Sequence, residues 1–139
     1  MSPLQLSSYT ATSCIGRGLD ATLATLRRRA SGLAPCRFET VDLATYTGEV
    51  AGLDAVTLPA ALARYACRNN RLALLGLEQD GFADAVRAAV DRHGAERVAV
   101  LVGTSTSGIL ETELAYRRRD PATGALPPEF HYAETHNTF

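Results

Sequence analysis

The hydrophobic pattern changes character several times along the chain, most sharply near residue 100. Residues 98–103, VAVLVG, form a continuous apolar run rich in β-branched side chains. That run predicts a strand buried on both faces. It ends at Gly103 in GTSTSG, small residues suited to a tight turn and a close backbone approach. ILETELAYRRR follows, with Glu111 and Glu113 near its start, Arg117, Arg118 and Arg119 near its end, and Pro121 beyond. This charge order complements a helix dipole and predicts a helix that stops before Pro121. Strand, small-residue turn and helix is a common way for an α/β protein to build a site at the carboxyl end of its sheet.

Upstream, residues 4–14 alternate partially and contain β-formers, predicting a strand. Gly16 and Gly18 then lead into a helical pattern with Leu19, Leu23 and Leu26 on one face and Gly32 as its stop. Two short β-like pieces, 37–41 and 46–51, lie in a surface excursion spanning 36–54. Thr57 and Pro59 suggest a further helix start. The longest helical pattern runs from about Asn69 to Arg92. Leu72, Leu75, Gln79, Phe82, Val86 and Val90 fall mostly at helical spacing, Gly76 and Gly81 weaken it, and Gly94 ends it. Residues 120–139, with Pro121, Gly124, Pro127 and Pro128, read as loop. The order is that of an α/β domain with few strands, whose sheet would keep open edges.

Composition narrows the field by exclusion. A chain of 139 residues suffices for one domain with a modest core. A net charge of −1 gives no steering toward nucleic acid or acidic lipid, although all 14 basic residues are Arg. No apolar run reaches membrane-span length and the start lacks a secretory pattern, so the expected location is cytoplasmic, without membrane contact. Cys14, Cys36 and Cys67 are odd in number and widely spaced, which argues against a disulfide framework or a structural zinc site. They read as small core or near-surface residues.

Several motifs fall short of a known chemistry. The GRG before the first helix lacks the third Gly of a dinucleotide fingerprint, which would fall at Ala21, and is better read as a tight strand-to-helix turn. Gly103 and Gly108 have phosphate-loop spacing, but Ile109 and Leu110 stand where Lys and Ser/Thr belong. GTSTS resembles a nucleophile elbow centred on Ser105, yet Ser107 replaces its second Gly. Asp120, His131 and His136 would have to complete a triad from a loop. His131, Glu134 and His136 could be written as a metal cluster, with no helical register to converge them, so no metal is expected. His93 and the two triple-Arg runs sit at helix ends, where the dipole favours positive charge.

The order of segments resembles that of the β-ketoacyl-acyl-carrier-protein synthases. VAVLVGTSTSGILETE is similar to their strand, GTGxGG-like turn and helix. YTATSCIGRGLDATLATLRRRASGLAPC is similar to their first strand, Gly-containing turn and first helix. CRNNRLALLGLEQDGFADAVRAAV stands where they have a long helix with an Arg-containing opening. The likeness is colinear over almost the whole chain. It implies an α/β, thiolase-like fold: residues 1–139 would be part of its N-terminal half, a sheet between helices, incomplete without downstream chain. It further implies a homodimer that condenses an acyl thioester with malonyl-carrier protein in fatty-acid or polyketide synthesis, with acyl carrier protein as partner and no cofactor. The family's nucleophilic Cys and its His residues lie beyond the matching region, so no catalytic residue is assigned here and this portion alone is expected to be inactive. Thr106, flanked by Ser105 and Ser107, matches the position that borders the acyl pocket, although the turn is less Gly-rich than the family's. The resemblance leaves a second reading open, a non-catalytic partner subunit of the chain-length-factor kind.

Overall fold

The computed structural model describes residues 5–38, 42–103 and 108–131. The chain enters through a small antiparallel hairpin, β1 (Thr12–Ser13) with β2 (Gly16–Arg17), in which Thr12 pairs with Arg17. Helix α1 (Leu19–Arg27) follows at once, so the GRG expected as a strand-to-helix turn is instead strand β2 plus Gly18, the single residue between strand and helix. Close packing fixes the glycines here. A Cβ on Gly16 would lie 2.7 Å from the Ala21 carbonyl carbon, and one on Gly32 would lie 2.9 Å from the Ile15 nitrogen and against the Cys14 carbonyl. Gly32 is therefore required by the hairpin that crosses it, and not as the helix stop. Arg29, at φ 52°, makes the left-handed turn out of α1.

A second antiparallel pair joins β3 (Leu33–Pro35) to β4 (Tyr46–Gly48). The β-rich excursion is thus present, but its first strand lies ahead of the predicted 37–41, and 39–41 fall outside the described residues. Single-turn or short 3-10 segments occupy Leu53–Ala55, Ala60–Tyr65 and Ala95–Arg97. Thr57 and Pro59 therefore introduce a 3-10 segment rather than an α-helix.

The predicted helix from Asn69 to Arg92 is two helices, α2 (Arg68–Leu77) and α3 (Phe82–His93). The break falls at Asp80 and Gly81, with φ of 56° and 66°. Asp-Gly is a strong turn dipeptide, and its left-handed backbone outweighs the apolar periodicity that runs through it. Helix α4 (Ile109–Arg117) confirms the last predicted helix, with Glu111 in its first turn and Arg117 in its last.

The predicted buried strand at 98–103 is not formed among the described residues. Val98 is extended, but the segment has no ladder partner, and Leu101 is 88% exposed. An apolar run specifies burial; a strand also needs a neighbour to take its backbone N–H and C=O groups. The strand predicted over 4–14 likewise shrinks to Thr12–Ser13, and Leu6 is 80% exposed. Leu23 and Leu26 of α1 are also exposed. Buried apolar residues are Leu53, Cys67, Leu75 and Ala115 among those described, and the Leu53–Ala55 turn packs on α2. The described residues are thus a mixture of helix and two small two-stranded sheets.

Asp80 ties the two ends of this arrangement together. Its carboxylate accepts the Leu19 N–H on both oxygens at 3.0 Å and the Thr10 hydroxyl at 2.7 Å. The α1 N-terminus has no cap from its own sequence, since Gly18 offers no side chain. A residue 61 positions away performs that role.

Candidate functional site

Ser105, Thr106 and Ser107, the turn residues that carry the resemblance, lie outside the described residues. Their flanks are described, and they lead into two separate hollows. On one side, residues 98–103 line an open apolar groove of about 730 Å³ with residues 6–12 and helices α2 and α3. On the other, residues 108–111 at the start of α4 line a smaller cavity of about 490 Å³ that is also open to solvent. Its apolar wall is made by Phe38, Val50, Leu53, Leu72, Ile109 and Leu110, and the Cys67 thiol adds a small buried surface. Asn69 and Leu72, one turn apart on α2, line both hollows. The described flanks of that segment, 98–103 and 108–111, thus line hollows that share a wall.

Polar side chains at the smaller cavity are Thr47, Glu49, Arg68, Asn69 and Glu111, and two of them help to shape the opening of α2. Arg68 Nη1 donates to Asp54 Oδ1 at 2.6 Å. Asn69 Nδ2 donates to Asn70 Oδ1 at 3.3 Å, and Asn70 Nδ2 to the Tyr65 carbonyl at 2.7 Å. These bonds fix the opening of α2 and with it the wall formed by Asn69 and Leu72.

The residues nominated for other chemistries are elsewhere. Asp120 caps its own turn: it accepts the Ala122 N–H at 2.8 Å and the Thr123 N–H at 2.7 Å, while the turn closes from Gly124 N–H to the Asp120 carbonyl at 2.8 Å. Those backbone bonds, the one from Thr123 foremost, hold its carboxyl below the usual aspartate range. It serves as a turn cap, with both N–H groups on Oδ1. His131 is exposed, and Glu134 and His136 lie outside the described residues. Among the described residues no group of His, Cys, Asp and Glu is arranged to hold a metal. His93 ends α3, and the second Arg run is engaged with solvent and carboxylates, through Arg117–Glu113 at 3.9 Å and Arg118–Glu129 at 3.0 Å. Cys14, Cys36 and Cys67 are free thiols, the last buried. No described helix is long and apolar enough to cross a membrane.

Sequence reasoning missed Phe38 and Leu53 as cavity wall, and Asp80 as the cap of α1. The first two sit in a stretch without periodicity. For Asp80 the Asp-Gly dipeptide announced a turn, but nothing local announced its partners. The chain matches no protein-family profile, no curated protein and no solved structure.

Proposed function

We propose that this chain is the N-terminal portion of a β-ketoacyl-acyl-carrier-protein synthase, contributing scaffold and one wall of the acyl pocket. The observation that supports the reading is the apolar wall of the cavity against the first turn of α4, which follows the segment that contains Thr106. An acyl chain is long, apolar and uncharged, and burying it in such a cavity contributes about 0.8 kcal/mol per methylene. In the full-length protein a Cys supplied by downstream chain would hold the acyl group as a thioester. The malonyl unit would lose CO2, and its carbanion would attack the thioester carbonyl, forming the new carbon–carbon bond and releasing the thiolate. The proposed protein is a cytoplasmic homodimer that takes acyl carrier protein as partner.

The test is made in the full-length enzyme. Thr106→Gly and Thr106→Ile should shift the length of the products in opposite directions, the larger side chain shortening them. An unchanged product profile in both variants overturns the pocket assignment. Absence of a Cys at the downstream strand-to-helix elbow overturns the enzyme in favour of a non-catalytic partner. Labelling of Ser105 by a fluorophosphonate would replace both with a serine hydrolase.

A further inference from the structure

We draw no further inference here: the strongest candidate, the open apolar groove between residues 6–12, helices α2 and α3 and the extended segment 98–103, carries nothing because nothing in the structure shows what covers it.

Discussion

Replacing Asp80 should cost more than an exposed aspartate ordinarily does, because three effects converge on it. The substitution Asp80→Ala removes the acceptor for the Leu19 N–H at the start of α1, a capping interaction worth about 1 kcal/mol. It removes the partner of the Thr10 hydroxyl, worth about 0.5 to 1 kcal/mol in an exposed setting. It also places Ala at φ 56°, where Asp and Asn are tolerated far better, at about 1 kcal/mol. The sum is about 2.5 to 3 kcal/mol. Asp80→Asn keeps the backbone preference and one acceptor oxygen, so its loss should be about 1 kcal/mol. Urea unfolding followed by far-ultraviolet circular dichroism measures both, provided the slope stays that of the parent. Amide exchange at Leu19 should accelerate in the Ala variant. A loss under about 0.5 kcal/mol for Asp80→Ala, or equal losses for Ala and Asn, would refute the capping account.

Gly16→Ala and Gly32→Ala should each destabilise by about 1 to 3 kcal/mol, because each new methyl meets backbone atoms that cannot swing aside; urea midpoints unchanged from the parent would count against this packing. Asp120, whose folded-state pKa is lowered, supports its turn at neutral pH and loses that support as pH falls through the lowered value, on the acid side of the usual aspartate range. Asp120→Asn should remove this acid-side component, and a carboxyl titration of Asp120 by NMR at the ordinary position would contradict it. A disulfide reagent should modify the half-buried Cys14 and Cys36 before the buried Cys67, which should react only on unfolding; prompt reaction of all three thiols would overturn the burial of Cys67. The exposure of Leu6 and Leu101 should make the 139-residue chain bind a hydrophobic dye and self-associate, and a monodisperse, dye-silent monomer in sedimentation would refute it.

Local signals were legible and long-range ones were not. Helix α4 follows from the charge order and punctuation of its own residues and α1 from its Leu spacing, and the structure forms both. The split between α2 and α3 was present in the Asp-Gly dipeptide but masked by a hydrophobic spacing that continued across it. Residues 98–103 show the opposite failure. Their composition states that they prefer to be buried, and composition says nothing about which backbone lies alongside. The cavity beside α4 was invisible for the same reason: Phe38, Leu53, Leu72 and Ile109 come from four separated stretches. The turn expected at 103–108 falls on residues 104–107, outside the described set.

Asn69 and Leu72 face two hollows at once, and this makes those hollows interdependent. Trimming Leu72 to Ala would not simply deepen the smaller space; it would breach the partition and let the two volumes run together. Any lineage that tuned one compartment by altering this pair would have had to re-tune its neighbour in the same step. Variation that adjusts capacity independently should therefore accumulate on the far side, at positions such as Phe38 and Ile109, and spare the divider.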